Sequence, residues 1–280
     1  MPELPEVETM RRGVASVAGS RIVRVERPAC RKRPISITPR IDVLSRRAAG
    51  QRIVSIDRIG KRVIFRLDRG DAVVIEPRMT GLVLLAQPPT LQHLRLRLLL
   101  TGGPVRELLF WDRRGLGTVR LVNAENFDTL YGLHRIGPDA LAIDSEMLRE
   151  RLRKSRRAIK VALLDQRAVA GIGNLYASEI LHLARIDPRR RCSALNRHEW
   201  QNLQAATVEV LELAVRHEGS TLSDGTYRNV LNQSGGFQNL HRVYDRAGEV
   251  CPSCGKGQIQ RIVQGQRSTF FCRACQRRQA

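Results

Sequence analysis

The chain has 280 residues, 42% of them hydrophobic, which is enough for a substantial core, two domains and a small further module. Forty-eight lysines and arginines against 27 acidic residues give a formal charge of +21, a field that attracts a polyanion over long range. The hydrophobic content excludes a disordered chain, and the apolar runs are too short to span a bilayer; the longest, around Leu94–Leu100, is broken by Arg95 and Arg97.

Leu4, Val7, Met10, Val14 and Val17 recur at helical spacing, so residues 3–18 read as an amphipathic helix with Pro5 in its first turn. Short segments rich in Val, Ile and Leu follow: Arg21–Glu26, Arg52–Asp57, Arg62–Leu67, Ala72–Glu76, His93–Leu100, Val105–Trp111 and Gly117–Leu121. Several alternate apolar with polar residues, as half-buried antiparallel strands do, and 93–98 is the cleanest case. Repeated strands at short spacing predict a sandwich or barrel. Gly137-Pro138 marks a linker, after which the pattern turns helical over Met147–Arg157, Ala158–Leu164, Asn174–Ala184 and Arg197–His217. Ser220–Leu240 reads as loop, and Tyr244–Gln276 as a small cysteine-bearing module. The expected organisation is a first domain over 1–131, a linker over 132–143, a helical domain over 144–243 and the module over 244–280.

That module holds Cys251-Pro-Ser-Cys254 and Cys272-Arg-Ala-Cys275. Two residues between cysteines let both thiolates face one ion, and two such knuckles complete a tetrahedral zinc site. Four thiolates leave no position for substrate, so one structural Zn2+ is expected, holding a hairpin over about 258–271. The N-terminus carries Glu3, Glu6 and Glu8 and no apolar core segment, so no secretory signal is read and a cytoplasmic, reducing location is expected. Cys30 and Cys192 stand alone and read as incidental or buried thiols.

The terminus itself, Pro2-Glu-Leu-Pro-Glu-Val-Glu-Thr9, has two readings. Removal of Met1 would expose the secondary amine of Pro2, whose pKa near about 8 leaves a useful neutral fraction to attack an aldehyde-like carbon. Glu3 beside it could act as acid or base, and Glu6 lies one turn further along. The same residues also suit a plain helix start, with proline in the first turn and glutamates favoured by the dipole.

Taken together, the terminal PELPEVET, Lys61 before a strand, Gly171-Ile-Gly-Asn-Leu-Tyr-Ala-Ser-Glu179 and Gln266-Arg-Ser-Thr-Phe-Phe-Cys272 resemble bacterial formamidopyrimidine-DNA glycosylase, in order and over the whole chain. The resemblance implies an α+β protein with an N-terminal β-sandwich flanked by helices, and a C-terminal helical domain with a helix–two-turn–helix motif and a zinc finger. It implies a monomer that binds duplex DNA carrying oxidised bases, flips the damaged nucleotide, and excises oxidised purines before cutting the strand. Pro2 matches the nucleophile, Glu3 the acid/base and Glu6 a supporting carboxylate. Lys61 and Arg267 match phosphate-gripping residues at the lesion. Asn174, Lys160, Tyr244 and His93 match further contacts to the DNA backbone.

Three wedge residues fill the gap left by a flipped base in that family. Met79 matches the first, and Arg114 matches the arginine that pairs with the orphaned cytosine. Leu116, in Asp112-Arg-Arg-Gly-Leu-Gly117, stands where the family has phenylalanine, and Gly115 where it has a second arginine. Leucine still wedges apolar surface but stacks less well than a ring. Residues 222–240 also depart from the usual pattern, so lesion choice is open between oxidised purines and the oxidised pyrimidines of the endonuclease VIII-like branch. The PELPEVET terminus favours purines. A non-catalytic lesion-binding protein and a basic RNA-binding protein are the readings from other classes; intact Pro2, Glu3 and Lys61 argue against the first and the two marked domains against the second.

Overall fold

The structure is a computed structural model that describes residues 2–222 and 225–277. Packing divides it into two units, Met1–Gly132 with Val215–Gln238, and Leu133–Ala214 with Asn239–Ala280.

The first unit contains α1 (Leu4–Gly13), β1 (Arg21–Glu26), β2 (Ser36–Thr38), α2 (Ile41–Ala48), β3 (Ile53–Ile59), β4 (Arg62–Leu67), β5 (Ala72–Glu76), β6 (Gly81–Leu84), β7 (Leu94–Thr101), β8 (Glu107–Asp112), β9 (Thr118–Val122) and α3 (Ala124–Tyr131). The strands form two sheets, ordered β1-β7-β8-β6 and β2-β9-β5-β4-β3. All neighbours are antiparallel except β2 and β9. Ile22, Leu96, Leu98 and Phe110 of one sheet and Val63, Phe65, Val73 and Ile75 of the other share one buried core. This is the expected sandwich, bound by apolar area removed from water between two sheet faces.

Helix α1 closes the core with Val7 and Met10, which have no exposed surface, and lies against β3, β4 and β6. It ends at Gly13 rather than continuing to residue 18; a short 3-10 turn, Ala15–Val17, follows. A side chain at Gly13 would strike Val230, with its Cβ 2.3 Å from Cγ2. Glu8 fastens the helix to the sheet: its carboxylate takes Arg11 and Arg12 of α1 and Arg58 of β3, the last at 3.0 Å with both side chains 9% exposed. Burial alone would raise the Glu8 pKa, but the hydrogen bonds from Arg11 and Arg12 and the charges of Arg58 and Arg11 outweigh it and set it at about 2.

Alternation fails at one residue of β7. Arg95 is 3% exposed, not solvated. The register slips between Leu94 and Leu96, so Arg95 is the extra residue of a bulge and turns inward. Its guanidinium is satisfied there by the Asp112 carbonyl at 2.8 Å and the Arg113 carbonyl at 3.5 Å, and it meets the Cys30 thiol. Elements β2, β6, α2 and α3 were not expected from the sequence.

The second unit contains α4 (Ser145–Leu152), α5 (Ile159–Leu163), α6 (Asn174–Leu183), most of α7 (Arg197–Arg216), and the hairpin β10 (Ile259–Gln264) and β11 (Arg267–Cys272). Val243, Cys251, Ile259, Phe270 and Cys272 form a small core under the hairpin. Residues 215–238 fall within the helical domain by chain order but pack with the first unit. The Leu85 amide donates to the Val230 carbonyl at 3.0 Å, and Tyr227 and Val230 belong to the sandwich core.

Because the folded pKa of Glu8 is depressed, its contribution is present above the unfolded value of 4.5 and is lost as pH falls towards about 2. Glu8→Gln should therefore lower the melting temperature at pH 7. The gap to wild type, followed by calorimetry, should shrink as pH drops below about 4.5.

Candidate functional site

Pro2, Glu3 and Glu6 are all buried at the start of α1. Glu6 holds the terminus in place: one carboxylate oxygen accepts the Glu3 amide and the other the Ser220 amide, each at 2.8 Å. The second bond comes from residues 215–238, which explains why this segment belongs to the first unit. Gly219, at φ +77°, makes the approach possible, since a Cβ there would lie 2.7 Å from Glu6 Oε1. Tyr227 is buried nearby and donates to the Glu218 carbonyl at 2.9 Å; burial, then the charge of Glu6, push its phenol well above 10. Lys61 is half-buried in the turn between β3 and β4, the hairpin on which α1 rests.

The loop between β8 and β9 carries Arg114 and Leu116, and it is ordered from beneath by Asp112. That carboxylate has no exposed surface. It accepts the Thr80 hydroxyl at 2.5 Å and the amides of Arg114, Leu116 and Gly117 at 3.2, 2.7 and 2.8 Å. Thr80 follows Met79, so the turn bearing Met79 and the loop bearing Arg114 and Leu116 share one buried acid. Arg114 is exposed, whereas Met79 and Leu116 are half-buried. His93 is half-buried on the edge of Trp111, with centroids 5.5 Å apart; burial, then Arg95, Lys32 and Arg113, hold its pKa below the usual range.

In the second unit Lys160 has no exposed surface, unlike a ready phosphate contact. Its ammonium donates to Asn174 Oδ1 at 2.5 Å and the Ser268 carbonyl at 3.4 Å, and Asn174 Nδ2 donates to the same carbonyl at 3.0 Å. This triad ties α5 and the start of α6 to β11, beside Arg267. Arg267 is exposed at the first position of β11, after a turn in which Gly265 and Gln266 have φ of +54° and +61°. Glu179 of α6 is buried and accepts three successive amides, of Arg242, Val243 and Tyr244, at 2.9, 2.9 and 2.7 Å. Burial pushes its pKa up and the three donors pull it back. Tyr244 is thereby set against Phe270, with centroids 5.2 Å apart. Asp112, Thr80, Glu179 and Ser220 were not singled out from the sequence, and Gly219 reads there only as the glycine that ends a helix. Among the others, Asp112, opening an Asp-x-x-Gly run, carried a local turn signal.

The four knuckle cysteines have their Sγ atoms within 4.8 Å of one another. Cys251 to Cys275 and Cys254 to Cys272 are each 3.8 Å apart. Zn–S bonds of about 2.3 Å in a tetrahedron require S···S near about 3.8 Å, so the donor set fits zinc. The Gly257 and Lys256 amides hold Cys254 down at about 6, while burial and the neighbouring thiols push Cys275 up. A divalent cation removes that mutual repulsion. His182 is buried with Nε2 3.4 Å from Cys251 Sγ, an outer partner for a metal-bound thiolate.

Family models match the formamidopyrimidine-DNA glycosylase N-terminal domain over residues 1–119, its H2TH domain over 136–226, and a zinc finger found in FPG and IleRS over 248–278. The formamidopyrimidine-DNA glycosylase of Chloroflexus aurantiacus is 40% identical over 281 residues, covering 99% of this chain and 98% of the relative. The chain belongs to the formamidopyrimidine-DNA glycosylase family. The crystal structure of the Thermus thermophilus Fpg protein is 38% identical, with a TM-score of 0.85 over 98% of both chains. Lactococcus lactis Fpg in complex with DNA containing an abasic site is 32% identical, with a TM-score of 0.86 over 99% of this chain and 100% of that one. The fold is the family's, and its four-cysteine cluster is a site for one structural zinc.

Chelation should release one zinc per chain and melt the hairpin. Hydrogen exchange at the β10 and β11 amides should then rise while that of the sandwich stays low. Gly219→Ala should cost about 1–3 kcal/mol, from the positive φ and the displaced Glu6 carboxylate, as read by thermal denaturation.

Proposed function

We propose that this protein is a bifunctional DNA glycosylase and AP lyase of base-excision repair, removing 8-oxoguanine and formamidopyrimidines from duplex DNA through a Schiff base on Pro2. The observation that carries this reading is the fixed terminus: a buried Glu6 binds the Glu3 and Ser220 amides and so holds Pro2 and Glu3 in one geometry. A point mutant of Lactococcus lactis Fpg, 33% identical, is solved with DNA containing Fapy-dG, which supports the substrate class.

The chemistry follows from those residues. Lys61 and Arg267 grip phosphates at the lesion; Asn174, Tyr244 and His93 contact the backbone, and Lys160 acts mainly by holding Asn174. The damaged nucleotide leaves the stack because its sugar carbon is unreachable inside it. Met79, Arg114 and Leu116 fill the gap. With Met1 removed, the Pro2 nitrogen lone pair forms a bond to C1′ as the bond from C1′ to the base breaks, and the proton lost by the Pro2 nitrogen ends on the departing base. Glu3 protonates the ring oxygen as the sugar opens, leaving an iminium ion between Pro2 and C1′. The iminium makes the C2′ proton acidic. Its loss expels the 3′ phosphate, and a second elimination expels the 5′ phosphate, leaving a one-nucleoside gap. The zinc holds the hairpin that presents Arg267 and takes no part in the bond changes. Acting on DNA, the enzyme works at the nucleoid, in the cytoplasm.

A second reading has one observation in its favour. Lactococcus lactis Fpg is also solved with DNA containing an oxidised pyrimidine, so Leu116 and the segment around 222–240 could shift preference that way.

The test is borohydride trapping on a duplex with 8-oxoguanine opposite cytosine. Wild type should form a covalent adduct, and Pro2→Gly or an N-terminal extension should abolish it. An adduct only with an oxidised pyrimidine supports the second reading. Tight DNA binding with no adduct on any lesion defeats both.

A further inference from the structure

The segment before β2 is fastened to the loop that carries Arg114 and Leu116, and this attachment answers a departure from the family pattern. Gly115 sits at φ +63°, and a Cβ there would lie 2.1 Å from the Arg33 carbonyl oxygen. No side chain fits, so the second arginine of the family motif cannot be accommodated at 115. Further contacts fix the same pairing. Cys30 meets the Arg95 guanidinium, which also binds the Asp112 and Arg113 carbonyls, and the Cys30 thiol reaches the Gln92 carbonyl at 3.1 Å. Ser36 donates its amide to the Gly117 carbonyl at 3.3 Å.

The stretch held in this way is Arg31-Lys32-Arg33. All three side chains are exposed, and among the described residues none has a carboxylate within ion-pair distance. Elsewhere in this unit many arginines are neutralised, as Arg11 and Arg12 are by Glu8, Arg47 by Asp71 and Arg62 by Glu76. Lys32 is close enough to help depress the His93 pKa, alongside Arg113. Cations side by side with no carboxylate between them leave a net positive potential at this edge, which a facing anion lowers.

We propose that Arg31, Lys32 and Arg33 form a second DNA-contacting arm, which grips backbone phosphates beside the loop that carries Arg114 and replaces the charge missing at Gly115. The proposal rests on the reading of this protein as a lesion-specific DNA enzyme. The backbone of the arm is locked to the loop, so its cations move with Arg114 and Leu116 as one body. Contact is to phosphate, not bases, so it strengthens binding without reading sequence.

The experiment uses the full zinc-loaded chain. Arg31→Gln/Lys32→Gln/Arg33→Gln is compared with Arg52→Gln/Arg69→Gln/Arg106→Gln, which removes the same charge from exposed positions elsewhere in the unit. Affinity for a duplex with a stable abasic-site analogue is measured from low to physiological salt. Each phosphate contact contributes about 0.9 to the slope of log affinity against log salt, so the arm variant should lose about two to three from that slope and bind at least tenfold more weakly at 0.15 M salt. Uncharged methylphosphonates, placed in turn along each strand, should weaken wild type at the contacted phosphates and leave the arm variant unmoved. Equal slopes for the two triple variants overturn the arm, as does a methylphosphonate scan that affects both proteins alike. Arg33→Gln alone, which keeps the Arg33 carbonyl in place, repeats the comparison if the triple variant does not fold. Failure of the underlying reading is separate: wild type would then bind duplex but neither trap nor cut any lesion.

Discussion

In a chain carrying 21 excess positive charges, three buried carboxylates bonded to backbone amides each fix one segment that carries candidate site residues. Glu6 takes the Glu3 and Ser220 amides; Asp112 takes those of Arg114, Leu116 and Gly117; Glu179 takes those of Arg242, Val243 and Tyr244. Each acid is 2% exposed or less. Amides facing a buried carboxylate satisfy its lone pairs and their own hydrogen-bonding needs together, and charge-assisted bonds in low dielectric are strong. Losing the acid would orphan two or three buried donors at once, so each of the three segments has one favoured conformation. The segments are the terminus with Pro2, the loop with Arg114 and Leu116, and the connection to the zinc finger with Tyr244.

The arginines serve a different purpose. Most lie at the surface, where their ion pairs contribute little to stability, and the field they sum to draws in any nucleic acid. That attraction does not distinguish a damaged nucleotide from an intact one. Discrimination needs groups whose positions are fixed before DNA arrives, which is what the buried acids supply. The exposed cations and the buried acids are thus two separate populations of charge, the first setting the long-range field and the second the local backbone geometry.

This division also explains what the sequence revealed. Strands such as Arg62–Leu67 and Ala72–Glu76 were legible because short runs of β-branched and aromatic residues bounded by charged and turn residues report a buried strand locally. The cysteine knuckles were legible because ligand spacing is local geometry. Three-residue β2 and the wholly apolar Gly81–Leu84 of β6 were too short for a period to show. Helix α3 did have a signal, Asn123 capping the Asn126 amide, but its eight residues follow a strand without a break. The roles of Glu6, Asp112 and Glu179 rest on partners at very different separations. The amides that Asp112 accepts lie within five residues of it, so a turn could be suspected there; Glu6 reaches across 214 residues to Ser220, and no local rule anticipates that. The burial of Arg95 likewise depends on a bulge set by its partner strand.

The two departures of the Asp112–Gly117 loop from the family pattern differ in physical status for the same reason. At Leu116 the loop is held through the backbone: the amide reaches Asp112 whatever the side chain, so phenylalanine and leucine suit the same conformation and exchange stacking area without disturbing it. At Gly115 the conformation itself excludes a side chain, through a positive φ and a neighbouring carbonyl in the space a Cβ would need. A change from arginine to glycine there cannot be reversed alone; the segment ending at Arg33 would have to withdraw first. Position 116 therefore accepts a change of side chain without a change of loop conformation. Position 115 is bound to the conformation of its neighbour, and the two segments have to be treated as one structural element.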